Sequence, residues 1–262
     1  MKTLIQLCIT AAVYVLLAAP VPALDKGTVS AVIDGDTIVV DGHTVRLLGI
    51  NTPEKARKNS PAEPGAGKAT RTLKNLLKSG GNKKPTVSLD YDANKTDRYD
   101  RLLAHVHLQD GTWLNKALIE KGVAHVYSFP DNRSRLHKLL AAEEQARKAG
   151  KGMWQHPTWQ VLDAGKLTPD QRIGQFRLVR GTPIRAARVG ERIYLNYGEN
   201  WRTDFTVEIP TEFLDLFSQD GIDPLKNYTN KKLLVRGRLK PVNGVLITAT
   251  HPEQIRILTD SN

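Results

Sequence analysis

Four runs of residues carry side chains able to act on a phosphodiester. They are Asp34-Gly35-Asp36-Thr37, then Arg46-Leu47-Leu48-Gly49-Ile50-Asn51-Thr52-Pro53-Glu54, then Asp97-Arg98-Tyr99-Asp100-Arg101-Leu102, and a basic stretch holding Lys55, Arg57, Lys58 and Lys68. Cleaving such a bond takes a base for the attacking water, cations for the charge that develops on phosphorus, and a hold on the phosphate. Glu54 can be the base. Arg46 and Arg101 are forked donors that match a phosphate bidentately, which lysine would not. Asp36, Asn51 and the Thr52 carbonyl offer the hard oxygen ligands that Ca²⁺ or Mg²⁺ prefers. Singly, each run has a duller reading. Asp-Gly marks a turn, Arg46 alternates with apolar neighbours on a strand, and Arg101 has Asp97 and Asp100 as surface partners. Their joint occurrence, order and spacing carry the chemical reading.

These residues need a frame that brings distant segments together. Apolar alternation with turns at Asp34-Gly35 and Asp41-Gly42 predicts a meander over Thr28–Ile33, Thr37–Val40 and Thr44–Leu48. A helix follows over Lys68–Leu77, then strands Thr86–Tyr91 and Leu102–Leu108, then helices Trp113–Lys121 and Arg133–Ala149. Three strands, a helix, two strands and further helices suit a five-stranded Greek-key barrel of the OB type. Segment 157–168 shows little periodicity and is expected to be a linker. Beyond it, strands are predicted at Gln175–Val179, Arg192–Tyr197, Phe205–Ile209, Lys232–Arg238, Val245–Thr250 and Gln254–Leu258, with a short helix at Thr211–Ser218. They suggest a second small β domain, OB-like, over 169–262.

The 262 residues hold 38 Lys+Arg against 27 Asp+Glu, a formal charge of +11, which directs the chain toward polyanions. The first half is the more basic, with 22 basic and 15 acidic groups in 24–159 against 15 and 12 in 160–262. Residues 1–23 read as an export signal: Lys2, the apolar run Leu4–Ala19, then Val21-Pro22-Ala23. A periplasmic or secreted location is expected. The lone Cys8 lies inside that signal, so the mature chain, from Leu24, has no cysteine nucleophile and no thiolate zinc site.

The set Asp-Gly-Asp-Thr, Val-Arg-Leu-Leu-Gly-Ile-Asn-Thr-Pro-Glu and Asp-Arg-Tyr-Asp-Arg-Leu-Leu-Ala resembles the thermonuclease family of staphylococcal-nuclease-like domains, from about Thr28 to Trp154. The resemblance implies an OB-type barrel over 24–156. It also implies a Ca²⁺-dependent endonuclease acting on DNA and RNA that leaves 3′-phosphates; low sequence specificity and a preference for single strands are expected with it. By position it makes Arg46, Glu54 and Arg101 catalytic, with Asp36 and Thr52 as metal ligands. Tyr99 and Tyr127 fall to the substrate, Tyr127 as the base-stacking residue; apart from the resemblance, the cations Lys68 and Arg98 are further candidates for substrate contact. Two departures stand out. Asn51 replaces a metal-binding aspartate, which weakens the cation site, and Asp100 replaces a glycine beside Arg101. A nucleic-acid-binding module with a disabled metal site is the competing reading, and an envelope scaffold of two barrels is a third.

Other motifs carry less. Gly65-Ala66-Gly67-Lys68 lacks the first glycine of a phosphate loop and reads as a helix start. His105 and His107 alternate on one strand without a third ligand nearby, so an exposed strand face is expected. Arg185, Arg188, Tyr194, Tyr197, Trp201 and Arg202 interleave cations with aromatics, as single-strand-binding surfaces do, with packing an equal alternative.

Overall fold

A computed structural model describes residues 25–56, 58, 60–78, 84–168 and 172–259. Residues 1–23, read from sequence as an export signal, and Arg57 lie outside the described residues. The first half runs β1 (Lys26–Val32), β2 (Thr37–Val40), β3 (His43–Leu47), β4 (Ile50–Asn51), α1 (Ala66–Lys78), β5 (Thr86–Asp90), β6 (Leu102–Leu108), α2 (Leu114–Glu120), β7 (His125–Val126) and α3 (Leu136–Lys148). Five of these strands close into a barrel in the order β1-β2-β3-β6-β5. Alternation explains the closure: Ile38, Val40, Val45, Leu47, Leu102, Ala104 and Val106 are buried in one core. β4 and β7 pair outside the barrel as a two-residue ladder.

α2 closes the barrel with a polar clasp. The fully buried Asn115 accepts from the Val106 amide at 2.9 Å and donates to the Leu48 carbonyl at 2.8 Å and the Ala104 carbonyl at 3.2 Å. A buried amide with its bonds made holds the β3–β4 turn in one position. Arg46 on β3 and Asn51 on β4 flank that turn.

The second half runs β8 (Leu162–Asp163), β9 (Phe176–Gly181), β10 (Arg185–Val189), β11 (Arg192–Asn196), β12 (Phe205–Pro210), α4 (Leu214–Gln219), α5 (Pro224–Asn227), β13 (Leu233–Arg238), β14 (Val245–Thr248) and β15 (Ile255–Ile257). Instead of a second closed barrel, these strands form two four-stranded sheets, β10-β11-β12-β14 and β15-β13-β9-β8, around one core. The segment expected as a linker is built into the structure. β8 pairs with β9, and Trp159 is buried with its indole N–H donating to the Pro64 carbonyl at 2.9 Å.

The two halves meet across a charged pair. Arg236 of β13 donates to Glu143 of α3 through both terminal nitrogens, at 3.1 and 2.7 Å, and Glu143 also accepts from the Val126 amide at 2.6 Å. Burial pushes the Glu143 carboxyl up, but the Arg236 charge and these donors overcome it and hold it below the usual range. Around the pair, Trp154, Trp159, Leu178 and Leu234 form a small apolar cluster.

The expected exposed face at His105 and His107 is in fact covered. His105 is buried edge-on against Trp113 at 5.1 Å, and His107 stacks on the same indole at 5.9 Å. Burial, aided by Arg135, pushes His105 down to about 4, and burial pushes His125 down to about 4 as well. Both are therefore neutral when folded yet protonate near 6.5 when unfolded, so the stability they contribute is present above pH 6.5. It drains away as pH falls from there to about 4, on the order of 3 kcal/mol for each group. Thermal melts between pH 7 and pH 4 should show the loss, and His125→Phe should remove about half of it, leaving the His105 share.

Candidate active site

Asp36 sits at the end of the β1–β2 hairpin and is buried. Its Oδ2 accepts from the Thr52 amide at 2.7 Å and the Thr52 hydroxyl at 3.1 Å, and Arg46 lies 3.2 Å away. Thr37 donates to its other oxygen at 3.2 Å. Burial raises the Asp36 carboxyl above the ordinary range, Asp34 adds to the rise, and Arg46 and the Thr52 amide oppose it. Arg46 in turn donates to the Leu47 carbonyl at 2.9 Å and to Asn51 Oδ1 at 2.7 Å, while Asn51 Nδ2 donates to the Thr52 carbonyl at 3.1 Å. Four of the site residues predicted from sequence thus form one hydrogen-bonded cluster.

Two local features make the cluster possible. Register places Arg46 opposite Thr37 on β2 and opposite Leu103 on β6, so it faces outward while Val45 and Leu47 fill the core. Gly35 allows the hairpin to approach β4 and α1. A Cβ there would lie 2.6 Å from Thr52 Oγ1 and 2.7 Å from the Ala69 methyl. Gly35→Ala is expected to cost about 1–3 kcal/mol through overpacking and to displace Thr52 from Asp36. A melting temperature unchanged beside an unchanged activity would show that the contact yields freely.

Arg101 lies one residue before Leu102, the inward-facing partner of Val45, and so continues the outward face that Arg46 occupies on the adjacent strand. Asp97 is its partner, not Asp100. Asp97 Oδ2 accepts from Arg101 Nε at 2.8 Å and Nη2 at 2.7 Å, and Oδ1 accepts from the Tyr99 and Arg101 amides. Partial burial pushes the Asp97 carboxyl up, but these bonds outweigh it and lower it. Asp100 adopts a left-handed φ of 58°, a conformation glycine takes without strain, so the departure from glycine is absorbed in the backbone. The sequence offers Asp97 only as one of two surface partners of Arg101. Its spacing before two backbone amides is an Asx-turn pattern, and that would have marked it as the residue positioning Arg101.

Glu54 follows the buried Thr52 by two residues and is exposed. Its backbone is fixed by Glu63: the Glu63 amide donates to the Glu54 carbonyl at 2.8 Å, and the Glu54 amide to Glu63 Oε2 at 2.9 Å. Tyr99 is 64% exposed, with the Arg98 guanidinium 4.8 Å and that of Arg101 5.5 Å from its ring. Lys68 is exposed on the first turn of α1, and Lys55 donates to the Ile33 carbonyl. Tyr127 is half-buried at the junction with the second half, edge-on to Phe129 and Phe176. In the second half, Tyr197 packs edge-on against Phe205 with its hydroxyl buried, so that part of the cation–aromatic interleaving is core.

A five-stranded barrel with Arg46 tied to a buried aspartate, an exposed glutamate two residues after Thr52, and a second arginine just before β6 carries the side-chain types of a phosphodiester-cleaving enzyme. Residues 44–156 match the family model described as staphylococcal nuclease homologue. The thermonuclease of Staphylococcus hyicus is 35% identical over 127 residues, covering 47% of this chain and 72% of that protein. The thermonuclease of Staphylococcus intermedius is 34% identical over 132 residues, covering 48% and 74%. Endonuclease YncB of Bacillus subtilis (strain 168) is 32% identical over 133 residues, covering 48% and 60%. The chain belongs to the staphylococcal nuclease family and is a nuclease, a phosphodiester hydrolase. The family match opens at Thr44, yet the barrel needs β1 and β2 as well, and Asp36 lies between those two strands.

Proposed function

We propose that this chain is an exported, Ca²⁺-dependent endonuclease of low sequence specificity that cleaves DNA and RNA, single strands preferentially, and leaves 3′-phosphates. The supporting observation is the Asp36–Thr52–Asn51–Arg46 cluster, with Arg101 immediately before β6, the strand that pairs with the Arg46 strand. In this reading Arg46 and Arg101 grip the non-bridging oxygens, and their charge opposes the charge that grows as water adds to phosphorus. Glu54 takes the proton from that water, the P–O5′ bond breaks, and the departing 5′ oxygen takes up a proton from solvent water to leave as a hydroxyl. Asp97 holds Arg101 in place, and Tyr99, Lys68 and Arg98 steer the polyanion. Export is supported by the charge and apolar pattern of residues 1–23.

The donor set suits a hard cation. Asp36, the Thr52 carbonyl and Asn51 Oδ1 are all oxygens, and among the described residues no group of three His, Cys, Asp or Glu side chains offers a rival site. A cation bound there supplies positive charge to the scissile phosphate and activates water. Asn51 tempers the fit, since its amide donates to the Thr52 carbonyl and its oxygen receives Arg46. Asn51→Asp removes that donor and adds a negative charge, so Ca²⁺ affinity is expected to rise about tenfold. Plasmid digestion by the chain from Leu24, with and without chelator and across a Ca²⁺ titration, tests both statements. Digestion undiminished in excess chelator would exclude the metal-assisted mechanism.

A further inference from the structure

Loop 127–130 of the first half and strands β13 and β14 of the second line a cavity of about 300 Å³. Tyr127, Phe129, Phe176 and Phe213 give it four aromatic walls, and among the described residues Arg236 and Arg238 are its charged lining groups, with no carboxylate beside them. Phe129 is 46% exposed, and Tyr127 meets Phe129 and Phe176 edge-on at 5.2 and 5.3 Å. Arg236 is committed to Glu143, and Arg238 is exposed at the rim.

Two backbone links join the loop that lines the cavity to the segment that carries Asn51. Asn51 pairs with His125 across the β4–β7 ladder, and the Tyr127 amide donates to the Gly49 carbonyl at 3.1 Å. Tyr127 therefore lies two residues, roughly 7 Å of strand, past the partner of Asn51. The exposed Phe129 and the half-buried Tyr127, Phe176 and Phe213 beside the Arg238 cation form a surface of the kind that stacks bases of any sequence and attracts phosphate.

We propose that this groove binds a single-stranded nucleic-acid segment continuing from the scissile phosphate, with bases on Phe129 and Phe213 and a phosphate at Arg238. The second half of the chain is then an extension of the substrate path. The proposal rests on the nuclease reading of the barrel for where the strand begins.

The test measures binding of phosphorothioate oligothymidylates of three and twelve nucleotides to the whole chain by fluorescence anisotropy, beside kcat/KM on the unmodified oligomers. The twelve-mer is expected to bind on the order of 10–100-fold more tightly than the three-mer. Phe129→Ala combined with Phe213→Ala, and separately Arg238→Glu, should each remove about tenfold of that gain while leaving three-mer binding and cleavage unchanged. Should the Phe213 variant not fold, Phe129→Ala with Arg238→Glu, both at exposed positions, carries the test. A length gain that survives in the variants, or is missing from the wild type, overturns the proposal, including the case in which a peptide or small ligand fills the groove. A length gain without any cleavage would refute the catalytic reading and leave the groove standing.

Discussion

Arg46→Ala is expected to lower kcat about 10²–10³-fold, the usual effect of removing a preorganised donor from a developing charge. The side chain has two tasks. It neutralises the buried Asp36 at 3.2 Å, and it faces outward beside the strand that begins after Arg101. Arg46→Lys should recover little, because a single ammonium cannot reach Asn51 Oδ1, the Leu47 carbonyl and a phosphate together. Single-turnover cleavage of a short oligonucleotide separates chemistry from binding. A loss confined to KM, with kcat kept within threefold, would assign Arg46 to ground-state binding alone.

The second large effect is on stability. Glu143→Ala leaves the Arg236 guanidinium uncompensated in the interior and takes an acceptor from the Val126 amide. Breaking a buried pair by one partner costs about 3–5 kcal/mol. For a chain of this size that is a fall in Tm of roughly 6–20 °C. Replacing both partners, Glu143→Leu with Arg236→Met, should restore most of it, since hydrophobic isosteres avoid the desolvation penalty altogether. The single variant should also lose activity, because Val126 anchors β7, and β7 is the partner of the Asn51 strand. A Glu143→Ala melting curve within 2 °C of wild type would show that water reaches the pair and that the two halves are held by the apolar cluster instead.

Much of the barrel was legible because its strands alternate over four or more residues. Thr37–Val40 and Leu102–Leu108 fall where the pattern puts them, and α1 starts two residues earlier than read. The ladder of β4 and β7 was not legible, since two residues have no period. β10, Arg185–Val189, was hidden because its charged and small residues sit on an exposed strand. Segment 157–168 reads as linker until Trp159 is seen to find Pro64, nearly a hundred positions away. In the site, residue types foretold Asp36, Asn51, Thr52 and Arg46 as neighbours. They gave no hint of Asn115 fixing the Leu48 carbonyl, of Gly35 admitting Thr52, or of Tyr127 facing a cavity shared with the second half. Those depend on which segments the fold brings together, and one sequence does not print that.

The most direct measurement is a crystal structure of the chain from Leu24 with a non-hydrolysable phosphorothioate dinucleotide and Ca²⁺. One phosphate should lie within hydrogen-bond reach of both Arg46 and Arg101, with the Glu54 carboxylate on the side from which water attacks and Asp36 facing the cation. A phosphate bound away from the two guanidinium groups, or Glu54 directed to the opposite side of the barrel, would contradict the shared catalytic cleft.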